Sequence, residues 1–165
     1  MRKIIIVLVS AVIVSCASDP VVQIYKMPDN SSLYFIPASE WRGNDLSAEV
    51  DFNFKDNANI QTICNISITG KEAMPKGISS LSFTADSLEY ILSDVKILFI
   101  DSKNHVLRIT SFLQHDEFIA MMKSENIVLH IKMNDSLYEC KPSGSFNSLK
   151  KEFHDNFYIL DQILK

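Results

Sequence analysis

Glycine is scarce in this chain of 165 residues, and that scarcity excludes the common nucleotide-binding motifs. The four glycines, Gly43, Gly70, Gly77 and Gly144, lie far apart in the sequence. Neither a G-x-G-x-x-G turn nor a P-loop can be written from them. The G-x-S-x-G elbow of α/β-hydrolases is missing, as are the C-x-x-C and H-E-x-x-H spacings of redox and zinc sites. The sequence therefore predicts no cofactor and no metal.

Clusters of basic residues are also absent, because acidic side chains outnumber basic ones by 20 to 16 and the basic ones are scattered. The formal net charge of −4 argues against nucleic acid as a partner. It argues equally against electrostatic adhesion to anionic lipid. A hydrophobic content of 47% is enough to build a core, so global disorder is not expected.

No apolar run is long enough to span a bilayer as a helix, which needs about 20 residues. The longest run, Ile4 to Val14, is broken only by Ser10 and follows the basic residues Arg2 and Lys3. This order is typical of a secretory signal peptide, whose apolar region has about 7–15 residues.

The end of that run, Ile13-Val14-Ser15-Cys16, resembles the bacterial lipobox. The resemblance implies cleavage before Cys16, diacylglycerol on its thiol and acylation of the new amine. Two or three acyl chains would anchor the protein firmly to the membrane. Ala17 stands where enteric lipoproteins retained in the inner membrane carry Asp, which favours the outer membrane. The alternative is an ordinary signal peptide that happens to end in cysteine.

Cleavage at this point predicts a signal peptide (residues 1–15), a lipidated tether (16–21) and a single domain (22–165). Removing 15 of 165 residues leaves 150, the usual size of one domain. Arg2 and Lys3 leave with the signal, so the mature chain has 14 basic and 20 acidic side chains, a net charge of −6.

Alternation of apolar and polar residues predicts a mainly β domain. It is clearest over Leu46 to Lys55, and it recurs over Ile60 to Thr69, which places Cys64 in the core. An antiparallel pairing of these two runs is expected. Val95 to Ile100 is apolar on both faces, which predicts a central strand. Pro37 is expected to end an early strand that begins at Leu33.

Two helices complete the predicted fold. A short one begins near His115, and a C-terminal one, capped by Ser148, has an apolar stripe of Leu149, Phe153, Phe157, Leu160 and Leu164. A sheet with one dry face needs such a cover. The predicted fold class is mainly β (α+β): an antiparallel sandwich or open barrel of about eight or nine strands with a C-terminal covering helix.

A few side chains are candidates for chemistry or modification. Cys64 and Cys140 can form a disulfide in an exported protein, or remain buried free thiols. Trp41, the only tryptophan, can stack on a ligand from a polar loop or fill one end of the core. Ser87 and Ser136 each lie in an Asp-Ser-Leu triplet that resembles an O-glycosylation signal of some Gram-negative bacteria.

Three functions are compatible with these patterns. The favoured one is a non-enzymatic, lipid-anchored protein of the cell envelope whose β-domain binds or supports another envelope component, a protein or a glycan. The second is a small envelope hydrolase that uses His115, Asp116 and Glu117 with His130. The third is a structural module that assembles with copies of itself.

Overall fold

A computed structural model describes residues 22–55, 61–71 and 77–163 of the chain, with side chains up to His154. The predicted signal peptide, Cys16 and the tether lie outside the described residues. So do the side chains of Phe157, Leu160 and Leu164 in the C-terminal stripe.

The described chain is mainly β, as predicted, with ten strands and two helices. The strands are β1 (Gln23–Lys26), β2 (Ser32–Arg42), β3 (Leu46–Lys55), β4 (Gln61–Gly70), β5 (Ser80–Ala85), β6 (Leu88–Ile91), β7 (Ser93–Asp101), β8 (Val106–Gln114), β9 (Ile127–Met133) and β10 (Ser136–Pro142). The helices are α1 (His115–Lys123) and α2 (Gly144–Ile163).

All ten strands belong to one antiparallel sheet that curls into a nearly closed, barrel-like form. The strand order is β6-β5-β9-β10-β2-β3-β4-β8-β7, and β1 pairs with one end of β2. The two strands at the ends of this order, β6 and β7, are consecutive in sequence. The sheet therefore curls back until its two edges meet where the chain passes from β6 to β7.

The predicted pairing of the two clearest alternating runs is confirmed. β3 and β4 are antiparallel neighbours, with Phe52 opposite Cys64 and Val50 opposite Ile66. All four of these side chains are fully buried. Period-two alternation was a reliable signal here because each strand has one face on the core and the other on solvent.

Strand β2 runs past Pro37, where the sequence predicted an end. The register between β2 and β3 shifts between Ile36 and Ser39, and Pro37 lies in this irregularity. A bulge tolerates proline because it leaves a residue out of the hydrogen-bonded ladder, and proline has no N–H to donate. Trp41 therefore lies in a strand rather than in a loop.

Both helices pack on the inner face of the sheet through aromatic side chains. Phe118 of α1 lies 5.0 Å from Phe52 between ring centroids, and Phe146 of α2 lies 4.8 Å from Trp41. Phe153 joins the helices by contacting Phe118 at 5.7 Å. Helix α2 is the predicted cover, but it begins at Gly144, four residues before the predicted cap, because Phe146 already packs in the core.

The position of β7 differs most from the prediction. Its apolar residues on both faces predicted a central strand, yet β7 is an edge strand that pairs with β8 alone. Leu98 and Phe99 are 55% and 52% exposed. Burial within this domain therefore does not account for the two-sided apolar character of β7.

Gly43 occupies the tightest position among the glycines with a described environment. A β-carbon built there would lie 2.5 Å from the backbone oxygen of Glu139 and 3.1 Å from the sulfur of Cys140. The backbone oxygen belongs to a paired strand and cannot move aside easily. Gly144, by contrast, has no atom within 4 Å of such a β-carbon.

We expect Gly43→Ala to lower the free energy of unfolding by roughly 1–3 kcal/mol, because the added methyl group overpacks the contact between the β2–β3 turn and β10. Gly144→Ala is the matched control and should be neutral or slightly stabilising, since alanine is the better helix former. Urea unfolding followed by Trp41 fluorescence measures both. Equal midpoints for the two variants would contradict the packing at Gly43.

Candidate functional site

The two edges of the sheet meet at Leu92 and Ser93. The backbone N–H of Leu92 donates to the carbonyl of Leu81 on β5 at 3.0 Å. One residue later, the hydroxyl of Ser93 donates to the carbonyl of Phe112 on β8 at 3.4 Å. The chain therefore crosses from one end of the sheet to the other within two residues. Asp94 follows with a positive φ of 50°, which turns the chain into β7.

Beyond this crossing, β6 and β7 do not pair with each other. Both strands expose large apolar side chains along the opening, which we call the open seam: Leu88, Ile91, Ile97, Leu98, Phe99 and Ile100. Among them Ile91 is 69% exposed and Ile100 is 39% exposed. Several exposed large apolar side chains on two neighbouring strands of a small domain are typical of an interaction site.

A polar cluster lies on the outer face of the sheet, across β3, β4 and β8. Arg108 donates to Asp51 at 2.8 Å and also to Ser67, and Asn65 donates to Asp51 at 2.7 Å. The Asp51 side chain is only 6% exposed. The alternation over Leu46 to Lys55 places Asp51 on the polar, solvated face of the strand. That expectation is wrong for Asp51, because its three neighbours cover it.

His115 begins α1 and is packed rather than free in solvent. Its ring lies 4.5 Å from that of Phe54 between centroids, and its Nδ1 lies 3.0 Å from the hydroxyl of Thr62. Burial lowers the pKa of His115, and the nearby Asp116 carboxylate opposes that shift. The ring is therefore neutral at physiological pH.

The residues of the hydrolase hypothesis do not form one cluster. His130 lies on the outer face of β9, with its Nδ1 3.7 Å from the carboxylate of Glu139. His115 instead contacts Phe54 and Phe118, which belong to the core. Asp116 accepts a hydrogen bond from the N–H of Glu117, as expected at the start of a helix. Within the described ranges, no group of three His, Cys, Asp or Glu side chains is arranged to hold a metal.

Trp41 belongs to the core and is not a ligand contact. Its side chain has no exposed surface, and its indole N–H donates to the hydroxyl of Ser39 at 3.2 Å. Phe83 and Phe146 pack against its ring at 5.5 and 4.8 Å. The ligand-stacking alternative is therefore wrong for this conformation, because nothing outside the core can reach the ring.

The two cysteines of the domain are buried free thiols. They lie on β4 and β10, which β2 and β3 separate in the sheet. Burial raises the pKa of Cys64 well above its ordinary value, and the nearby Asp51 charge adds to the shift. Burial raises the pKa of Cys140 to about 11. Both thiols are therefore protonated at neutral pH and weak nucleophiles.

Both serines of the predicted glycosylation triplets are exposed. Ser87 lies in the turn between β5 and β6, and Ser136 is the first residue of β10. Each hydroxyl is therefore accessible, and modification of Ser87 or Ser136 stays a prediction.

Comparison with models of protein families, with curated proteins and with solved structures yields no match for this chain. In the part of the chain that the structure describes, neither helix is long and apolar enough to cross a membrane.

The contribution of the Arg108–Asp51 ion pair to the free energy of unfolding can be tested by substitution. We expect Arg108→Ala to lower the free energy of unfolding by roughly 3 kcal/mol, because it leaves a covered carboxylate without its cation. Arg42→Ala is the control: the Arg42–Glu40 pair has side chains that are 72% and 43% exposed, so its loss should change the stability far less than Arg108→Ala does. Adding Asp51→Asn to Arg108→Ala should recover part of the loss, and no recovery would contradict this account.

The packing of His115 predicts a pH dependence. Because its pKa is lower in the folded domain than the ordinary value of about 6.5, the unfolded chain binds the proton more tightly. The stability that this group contributes is present above pH 6.5 and is lost as the pH falls through the folded pKa. An NMR titration of the His115 ring should give a midpoint below that of the same ring in the urea-unfolded chain. A midpoint at or above the unfolded value would refute the prediction.

Proposed function

We propose that this chain is a lipid-anchored protein of the bacterial cell envelope whose β-domain binds another envelope component, a protein or a glycan, at the open seam. The open seam is the observation that carries the proposal, because six large apolar side chains of β6 and β7 are exposed there together. Exposing them to water is unfavourable unless another molecule covers them.

The lipobox resemblance at Cys16 supports the location. Acyl chains on Cys16 would hold the protein in the membrane without any spanning helix. Gln23, where β1 begins, lies seven positions after Cys16, a distance of at most about 25 Å even when fully extended. The domain would therefore meet its partner close to the lipid surface, most simply at the outer membrane, as Ala17 favours.

The chemistry of the described core supports a binding role over a catalytic one. The buried thiols are protonated, and His115 is held in an aromatic environment with a lowered pKa. The Arg108–Asp51 pair is saturated by Asn65 and Ser67. By contrast, the apolar side chains of the open seam are exposed and are not covered by any of the described residues.

Two variants test the proposal separately for location and for binding. Cys16→Ser should move the protein from the membrane fraction to the soluble fraction of the envelope and remove the acyl mass of the native chain. Retention of membrane association by Cys16→Ser would contradict the anchor.

For binding, a photo-crosslinking amino acid is placed at Leu98 in the open seam of the otherwise native, anchored protein. The control position is Leu137 on β10, which is equally apolar and 60% exposed but lies away from the seam. We expect one defined adduct at Leu98 and none at Leu137. No adduct at Leu98, or the same adducts at both positions, would overturn the proposed binding site.

A further inference from the structure

Strand β7 has a free edge along its whole length. It pairs only with β8, so the backbone N–H and C=O groups on its other side have no partner strand within the described residues. Its sequence, Ser-Asp-Val-Lys-Ile-Leu-Phe-Ile-Asp, contains neither glycine nor proline and is rich in strand-forming residues. Folded proteins protect such an edge with proline, a cover, charges or bulges. β7 has one charge, Lys96, within its apolar run and two register shifts against β8.

The charges of β7 make it complementary to its own copy. In an antiparallel pair of two β7 strands with Leu98 of one opposite Phe99 of the other, Ile97 faces Ile100. Lys96 then faces Asp101, and the two-fold axis repeats each contact. This register pairs the four consecutive apolar residues from Ile97 to Ile100 with one another and places two ion pairs beside them.

The register shift inside β7 makes this pairing geometrically consistent. In a regular strand, residues five positions apart point to opposite faces, so Lys96 and Asp101 would not meet. Here β7 has an extra residue between Ile97 and Phe99 relative to β8. Lys96 lies opposite Thr110 and Asp101 opposite Val106, and both of these β8 residues point to the outer face.

Ile97 and Ile100, which face each other in the proposed register, also lie on one face of the sheet. Ile97 lies opposite Ile109 and Ile100 opposite Leu107, and the β8 partners are buried on the inner face. The shift thus brings Lys96 with Asp101 to the outer face and Ile97 with Ile100 to the inner face. Residues that must face each other in the self-paired register already share a face in the single chain.

We propose that the partner at the open seam is a second copy of this chain, joined through antiparallel pairing of the two β7 strands with Lys96 of each copy opposite Asp101 of the other. This inference rests on the proposed function, since it names the occupant of the same surface. The sheet then continues from one copy into the next across a two-fold axis between Leu98 and Phe99.

Hydrogen bonds within the chain hold the Asp101 carboxylate in place at the end of β7. This carboxylate accepts hydrogen bonds from the side chain and backbone N–H of Asn104 and from the backbone N–H of Lys103. These bonds fix its position at the end of β7 and lower its pKa, so it stays ionised. Strand β6, at the other end of the sheet, has only four residues and one acidic residue, Glu89, with no basic residue to pair with it.

The test is a zero-length cross-link between the two charged residues. The full mature lipoprotein, purified in detergent as an equal mixture of ¹⁴N and ¹⁵N chains, is treated with a carbodiimide and digested. We expect an amide between the Lys96 amine and the Asp101 carboxylate in peptides that combine one light and one heavy chain. The two residues of one chain are about 17 Å apart along an extended strand, so this link forms only between copies.

Charge variants identify the contact. Lys96→Glu replaces both ion pairs by like-charge contacts and should raise the dimer dissociation constant roughly ten-fold or more. Lys132→Glu makes the same change of net charge at an exposed position of β9, away from β7, and should leave the dimer intact. Leu98→Glu, at the two-fold axis, should give a monomer in the same detergent, whereas Leu137→Glu should not. Trp41 fluorescence verifies that each variant is folded.

The outcomes separate this inference from the proposed function. A monomer at tens of micromolar, a dimer without the Lys96–Asp101 link, or equal effects of Lys96→Glu and Lys132→Glu would overturn the self-pairing. A photo-adduct at Leu98 with a different protein, a glycan or lipid acyl chains would also overturn it, and a protein or glycan adduct would leave the proposed function standing. A Leu98 adduct with the same chain together with the mixed-isotope link supports self-pairing.

Discussion

The fold depends on a chain of aromatic contacts that joins elements distant in sequence. Trp41 contacts Phe83 and Phe146, Phe83 contacts Phe52, and Phe52 contacts Phe118. These rings come from β2, β3, β5 and both helices, and all of them are fully buried. Each such pair contributes about 0.5–1.5 kcal/mol beyond the burial of its area. Without this cluster the curled sheet would lose the largest side chains of its core. The packing that holds the two edges of the sheet close together would then be weakened.

A filled interior also explains why the sheet closes at one point and opens at another. The hydrogen bonds of Leu92 and Ser93 hold the two edges together where the chain crosses from β6 to β7. β6 and β7 cannot lie side by side, because Leu92 alone separates them in sequence and two paired strands need a longer connection. β7 therefore continues past the end of β6, and its outer edge has no partner strand in the described chain. The open seam is a consequence of this short connection.

Sequence patterns predicted much of the fold because alternation reports a one-sided environment. The bounds of β3 agree with the alternating run over Leu46 to Lys55, and Cys64 is in the core as predicted. The patterns were less informative where a second strand or a bulge changed the environment. The alternation places Asp51 among the solvated residues of β3, but Arg108 reaches it from β8, which is distant in sequence. Trp41 follows a proline and polar residues, and only the bulge at Pro37 shows that the strand continues to it.

The prediction for β7 failed for a different physical reason, and that reason bears on function. Apolar residues on both faces of a strand indicate that both faces lose contact with water, but the pattern does not say which molecule covers them. A central strand is covered by its own chain, whereas Leu98 and Phe99 at this edge remain half exposed. The irregular register of β7 brings Lys96 and Asp101 to one face. Both features are compatible with the proposed covering strand, a second β7 from another copy.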